Sequence, residues 1–595
     1  MKRTFFLVIL LVILKHITFA VPAIPTPFVV QQADGTQVTI RLHGDEFFSY
    51  ATTEDGFLAI QNSENQWVFA DVDKNDNIVP TTELARAKQY LSESVLKYFE
   101  NINQNIDIQS IGIRRQENRI ASMQNTQQSQ QRASVFTGEM KGIVILVNFT
   151  DKQFVVQNPQ QSFTNLLNQQ GYNGNGGTGS ARDYFIDNSM GAFSPQFDVY
   201  GPYNLSQNMV YYGGNNTSGY DMRPGEMVKE ACNLAYAAGV DFTQYDYNHD
   251  GIVDQVFIYY AGNNEAEGGG ANTIWPHRSA VWSSVGSAAD KMYIQDYACS
   301  SELRSASPSA LAMCGVGTFI HEFGHILTLP DLYNTANQSA VTLGSWDVMD
   351  SGPYLNLGRT PPRYSSYERF YIGWLTPRII NNPENVVLNP LHVSNDGLMV
   401  TETGQSNLIG TYPTPTLFYL LENRQKTGWD AYLPFHGLLI TKVKFNQSRW
   451  NSNTVNNYAN DLGVDLIKAN GGTTYGSGVP FPGAALITSY NIVINSTTKP
   501  LTEISESGGI INFKFMGGVT AAPNIHIEKP KIFIENNNLV IETQNYEIQQ
   551  ISIFNIEGKE MYNTNFTNSI RINKNDFPNG IYFVRVGNFI GKVIF

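Results

Sequence analysis

The stretch Gly317-Thr-Phe-Ile-His-Glu-Phe-Gly-His-Ile-Leu-Thr-Leu-Pro-Asp331 constrains this chain more than any other. His321 and His325 stand four residues apart, so a helix places both imidazoles on one face, one turn apart. At that spacing two ring nitrogens reach one zinc ion at about 2.0–2.1 Å. Glu322 falls beside the first ligand, where its carboxylate faces a metal-bound water rather than the metal. Pro330 cannot continue the helix. The chain therefore turns, and Asp331, six residues after His325, is the candidate third ligand. Two neutral imidazoles and one carboxylate make a catalytic-type zinc site with one coordination position open. The pattern alone arises by chance in roughly one chain in a hundred of this length. Here Val316, Phe319, Ile320, Phe323, Ile326 and Leu327 supply the apolar surface of a buried helix around it.

A chain of 595 residues holds several domains. The formal net charge is -13 and no basic stretch rivals a nucleic-acid footprint, so that class of partner is excluded. The first twenty residues read as a secretory signal: Lys2 and Arg3, an apolar run from Phe5 to Leu14, then Thr18-Phe-Ala20 as a small-residue cleavage site. No other stretch is long and apolar enough to span a membrane. The three cysteines, Cys232, Cys299 and Cys314, are too few to build the fold by disulfides. Cys299 and Cys314 either pair just ahead of the metal helix or, like Cys232, serve as small buried hydrophobes.

From 21 to about 100 the chain alternates as strands do, in Gln37–Leu42 and Gln66–Ala70, with turns at Asp34-Gly35 and Asp55-Gly56, then reads as helix over Glu83–Glu100. Asn101–Ser134 is polar enough for a solvated linker, with Arg114, Arg115 and Arg132 open to trypsin-like cleavage. A folded unit, a cleavable linker and an enzyme make the layout of a propeptide over 21–137. It contains no cysteine, so no thiolate caps the zinc, and latency needs another donor or steric cover.

The catalytic region, 138–517, opens with the buried strand Gly142–Phe149 and continues with helices at Pro159–Asn168 and Pro224–Ala238. Asp246-Tyr-Asn-His-Asp-Gly-Ile-Val-Asp254 then sets oxygen donors at Asp246, Asn248, Asp250, the Ile252 carbonyl and Asp254, a set suited to calcium. Its twelfth position is Phe257 rather than the bidentate Glu of an EF-hand. The alternative is a polar turn before the strand Gln255–Tyr260, and for His249 an exposed side chain. His277 reads as a hydrogen-bonded loop residue. After the zinc helix, Met349 sits in a tight turn that suggests an apolar floor beneath the metal. A helix at Ser365–Trp374 and a strand-rich region follow. From about Ala521 short alternating strands predict a β-sandwich of about 75 residues.

His321-Glu-Phe-Gly-His325, Leu329-Pro-Asp-Leu-Tyr333 and Gly344-Ser-Trp-Asp-Val-Met349 together resemble the immune inhibitor A-like secreted metallopeptidases. The likeness runs from Pro22 to about Gly517. It includes Gly44-Asp-Glu46 and Thr53-Glu-Asp-Gly56, the loop Asp246–Asp254, Glu422-Asn-Arg424, and Leu433-Pro434 with His436–Ile440. It implies an α+β, metzincin-like zinc peptidase with a small pro-domain. His321, His325 and Asp331 are the implied zinc ligands, Glu322 the catalytic base and Met349 the Met-turn residue. Two departures stand out. Where that family usually has Gly three residues after the second His, this chain has Thr328; a left-handed backbone there strains Thr, and a helix continued to Leu329 is the alternative. After Ile440 the chain reads Thr-Lys-Val-Lys444, where relatives often carry Trp-His and an acidic residue.

Residues 521–595, through Ile551–Lys559, Gly580–Val586 and Lys592–Phe595, are similar to the sorting domain of the bacterial type IX secretion system. The likeness implies export by that machinery from a Gram-negative cell, to the medium or the cell surface. The expected activity is zinc-dependent hydrolysis of peptide bonds in extracellular proteins by a monomer, with calcium as the second expected ion. Tyr333 and Tyr354 are candidate oxyanion donors. The rival readings are a secreted adhesin with a vestigial zinc site, and a zinc hydrolase of non-protein substrates.

Overall fold

The computed structural model describes residues 19–595 apart from 63, 125–135, 217–218, 305–311, 338–339, 520–529, 544–548 and 588. The signal sequence up to Thr18 and the cleavage candidate Arg132 lie outside the described residues. The chain divides into two units, Met1–Gly518 and Val519–Phe595.

At the centre of the first unit is a mixed sheet. Its strands are β1 (Phe19–Ala20), β2 (Gly138–Asn148), β3 (Phe193–Asn204), β4 (Ile252–Val253), β5 (Val256–Tyr260), β6 (His277–Val285) and β7 (Met292–Ser301). They run in the order β1-β6-β7-β5-β2-β3, with β4 also on β7. Strands β7, β5, β2 and β3 are parallel, whereas β6 is antiparallel to β7 and β1 antiparallel to β6. The run Gly142–Phe149 is apolar without alternation because both faces of β2 are covered. Val144 and Leu146 face one core with Phe163, Tyr184, Phe319 and Phe323. Ile143, Ile145 and Val147 face another with Met227, Ala231 and Ala235. The first core is roofed by α3 (Pro159–Asn168), α4 (Ala181–Asn188) and α6 (Gly317–Ile326), the second by α5 (Pro224–Ala237).

Ahead of this sheet, six strands between Phe28 and Leu84 form an antiparallel meander in sequence order, around Val38, Ile40, Trp67 and Phe69. The helix expected over Glu83–Glu100 begins later. Ile78–Leu84 is a strand paired with Trp67–Val72, and α1 (Glu93–Asn105) starts where the Ser92 hydroxyl accepts from the Val95 amide. The stretch read as solvated linker is helical over α2 (Ile108–Gln124). Arg114 there is paired with Asp76, and Arg115 donates to the Asp76 carbonyl.

Beyond α7 (Ser366–Ile372), a five-stranded and a four-stranded sheet enclose a third core that includes Leu421, Ile440, Leu501 and Phe513. Arg424 is buried there between Asp430 and Glu422, while Glu422 accepts from the Ser366 amide at the start of α7. Such a pair is stable in a dry interior only because its remaining hydrogen-bond capacity is used. In the second unit, a three-stranded and a four-stranded sheet share the core of Leu539, Ile551, Ile572 and Val584. Two strands went unread in the sequence there, Glu560–Phe566 and Phe589–Ile594, whose exposed alternate residues are mixed polar and apolar.

Candidate metal centre

Helix α6 is buried over nearly all its length. It ends at Ile326, one residue beyond His325, and does not continue to Leu329. Thr328 takes φ +73° and the Leu329 amide closes onto the Gly324 carbonyl at 3.0 Å. This is the left-handed helix stop usually made by Gly; in a β-branched residue it costs about 1–2 kcal/mol. The turn reverses the chain, so that Leu329 returns its carbonyl to His325 Nδ1 at 2.8 Å. His321 Nδ1 meets the Val348 carbonyl at 2.8 Å, in the turn before Met349.

A carbonyl only accepts, so each Nδ1 carries the hydrogen and each neutral ring turns its Nε2 lone pair inward. The two Nε2 atoms lie 3.2 Å apart. Asp331 Oδ1 is 3.2 Å from one and 3.3 Å from the other, and has no hydrogen-bond partner. Among the described residues this is the one trio of His, Cys, Asp or Glu so gathered. Three inward-facing lone pairs in a dry site repel unless a positive charge sits between them. Burial opposes protonation of His321, yet the Asp331 carboxylate beside it raises its pKa to about 9. Burial holds His325 below its ordinary value. Asp331 is held low by both imidazoles, against the effect of burial. The donor set of two imidazole nitrogens and one carboxylate oxygen fits zinc.

Met349 lies under the helix. A Cβ on Gly324 would stand 2.7 Å from its sulfur, so the glycine is what lets the turn approach. Glu322 is fully buried beside His321; burial pushes its carboxyl up to about 8, opposed by the His321 charge. Its Oε2 has no partner, whereas Oε1 accepts from the Val21 amide at 3.0 Å.

That contact comes from a segment the sequence did not place here. Phe19 and Ala20 pair with Arg278 and His277 on β6. The Tyr333 hydroxyl donates to the Ala20 carbonyl (2.8 Å), Trp275 Nε1 to that of Val21 (3.0 Å) and the Tyr354 hydroxyl to that of Pro22 (2.6 Å). Ala20 and Val21 are inaccessible to solvent. The only sequence signals were the uninterrupted small and apolar residues of Ala20-Val-Pro-Ala-Ile24, which a signal-peptide reading absorbs. Asn453 was also missed: it contacts Asp331 across 122 residues of chain, with no local signal.

The other predicted donors lie elsewhere. In Asp246–Asp254, Asp246 accepts from the Asp250 and Gly251 amides, Asp250 from the Ile252 amide and Asn248 Nδ2, and Asp254 from the Tyr247 amide. His249 is exposed. His277 is a buried residue of β6 rather than a loop residue, held by the Trp275 carbonyl and the Tyr297 hydroxyl. All three cysteines are buried and unpaired with one another.

Residues 138–374 match the family model described as Immune inhibitor A peptidase M6, catalytic domain. Residues 534–594 match that of the secretion system C-terminal sorting domain. Over 255 residues the chain is 29% identical to the pre-pro-metalloprotease PrtV of Vibrio cholerae serotype O1, covering 38% of this chain and 27% of that protein. Over 217 residues it is 28% identical to immune inhibitor A of Bacillus thuringiensis subsp. alesti, covering 31% of this chain and 30% of that protein. The chain thus spans under a third of the length of these relatives. Among the described residues no helix is long and apolar enough to cross a membrane.

Proposed function

We propose, from the peptidase-family match over 138–374, that this protein is a secreted zinc-dependent endopeptidase acting on extracellular proteins. The observation that carries the reading is the convergence of His321 Nε2, His325 Nε2 and Asp331 Oδ1 within 3.2–3.3 Å in a dry site. In this reading those three atoms hold the ion. Zinc supplies Lewis-acid polarisation of the scissile carbonyl and activation of water. Val348 and Leu329 keep both imidazoles in the required tautomer through Nδ1. Glu322 would accept the water proton on a carboxylate oxygen and return it to the leaving amine. An extended substrate would lie along β6, as Phe19 and Ala20 do. Tyr333 and Tyr354, which donate to carbonyls of the segment now there, would do the same for a substrate. Met349 supports the helix from below.

The region 21–137 acts in this reading as the pro-segment, 138–517 as a metzincin-like catalytic region and 521–595 as a sorting β-sandwich. Latency needs no cysteine. Residues 21–24 would cover the site, with the Val21 amide donating to Glu322. Signal removal after Ala20 would turn that donor into a cationic α-amine beside the carboxylate. Export through the type IX machinery of a Gram-negative cell is supported by the sorting-domain match. Calcium at Asp246, Asn248, Asp250, Ile252 and Asp254 rests on donor spacing.

The test is Glu322→Ala in protein freed of its pro-segment. Casein hydrolysis should fall to background while one equivalent of zinc stays bound. Undiminished hydrolysis would sink the assignment of Glu322, and zinc-independent hydrolysis would sink the whole reading.

A further inference from the structure

Asp331 stands on an irregular stretch six residues after His325, beyond the end of the helix that carries the other two donors, and an irregular backbone does not by itself fix a carboxylate to a few tenths of an ångström. Something must hold it, and the contacts show what does. Asp331 Oδ2 accepts from Asn453 Nδ2 at 2.5 Å, and the Asp331 amide donates to Asn453 Oδ1 at 2.8 Å. The two bonds run in opposite directions between one side chain and one residue. They therefore fix the position of Asp331 and the rotation of its carboxylate together. The amide orientation of Asn453 follows from chemistry: a carboxylate only accepts and a backbone N–H only donates, so Nδ2 must face the first and Oδ1 the second.

The clamp occupies Oδ2 and leaves Oδ1 turned toward the imidazoles with no hydrogen-bond partner. Asn453 is itself fixed. It is 1% exposed and takes φ +55°, a left-handed conformation that Asn tolerates. Its amide donates to the Trp450 carbonyl at 3.3 Å and its carbonyl accepts from Thr335 Oγ1 at 3.1 Å. Neighbouring Asn456 holds the same loop without touching the carboxylate, donating to the Leu332 and Val464 carbonyls.

We propose that Asn453 is a positioning residue for the metal: by taking Asp331 Oδ2 it selects Oδ1 as the single carboxylate oxygen presented to the ion. The inference rests on the zinc reading of His321, His325 and Asp331. Groups that orient a ligand in this way typically account for 10–100-fold in metal affinity.

The experiment measures zinc affinity of the full chain by competition with a fluorescent chelator, beside thermal melting of the zinc-free protein. Asn453→Asp is isosteric, keeps the acceptor for the Asp331 amide and suits the left-handed backbone, but replaces the donor to Oδ2 by an oxygen. Its affinity should fall by about 10–100-fold. Asn453→Gly, which removes both bonds without straining the backbone, should also lose affinity. In an Asp331→Ala background, Asn453→Asp should add no further loss. Asn456→Ala should lower the melting temperature while leaving affinity within about threefold, well short of the loss expected for a ligand-orienting group. If wild-type protein binds zinc and folded Asn453→Asp and Asn453→Gly bind it equally well, the inference is overturned. An equal loss in Asn456→Ala also overturns it, because affinity would then follow loop stability alone. If the wild type holds no more zinc than His321→Ala, the metal reading itself fails and the inference with it.

Discussion

In the loop from Asp246 to Asp254 the carboxylates of Asp246, Asp250 and Asp254 already accept hydrogens from backbone amides or from Asn248. Around α6 the opposite holds: each imidazole spends its one hydrogen outward on a carbonyl, and what remains inside is a set of lone pairs 3.2–3.3 Å apart. Both stretches carry metal-site spacing in the sequence. One can close on itself without an ion, because its acidic side chains find amide partners within their own turn. The other closes only around a positive charge, a proton on His321 or a metal ion, because its donors are buried and turned toward one another. Spacing says which atoms can reach a metal; where their hydrogens and lone pairs point says whether the fold needs one.

The largest effect should separate the two sites outright. His325→Ala should lose stoichiometric zinc and with it all hydrolysis. Asp250→Ala should keep full zinc content and lose only whatever calcium adds to the melting temperature. Equal zinc loss in both variants, read by elemental analysis of the purified proteins, would erase the contrast. A second and smaller effect concerns packing beneath the helix. Gly324→Ala drives a Cβ to 2.7 Å from the Met349 sulfur, and overpacking of this kind costs about 1–3 kcal/mol. The corresponding loss in chemical denaturation should be absent from Gly251→Ala as a packing effect, since a Cβ there meets nothing within 4 Å, leaving only the strain of φ +83°.

The smallest effect compares two left-handed residues. Thr328 has φ +73° and His249 φ +59°. Thr is β-branched and resists this region, whereas His is enriched in it. Thr328→Gly should therefore raise stability by about 1 kcal/mol, and His249→Gly by less, with zinc content unchanged in both. A melting temperature that falls in Thr328→Gly would show that the turn is held by the Thr side chain rather than strained by it.

Much of the fold was legible because its signals are local. The helices at Pro159–Asn168 and Pro224–Ala237 and the continuous apolar run of the strand inside β2 are local patterns. The errors fell where periodicity is weak. Ile78–Leu84 reads Ile-Val-Pro-Thr-Thr-Glu-Leu, without alternation and with Pro80 inside it, and only its pairing with Trp67–Val72 decides for strand. Ile108–Gln124 has too few apolar residues to announce a helix, and its contacts at Arg114 and Arg115 are tertiary.

The sequence by itself determined the chemistry on α6, since His321, Glu322 and His325 share one helix and their relation is set by 3.6 residues per turn. It also determined the export tail and the two-faced burial of β2. The tertiary structure alone decided the rest of the site. It turned Thr328 left-handed so that Asp331 could return to the imidazoles, brought Asn453 to that carboxylate from 122 residues away, and laid Ala20 to Ile24 across Glu322. The reason is common to all three. A helix fixes neighbours by its own hydrogen bonds, but where an irregular segment comes to rest depends on which distant donors and acceptors complete it.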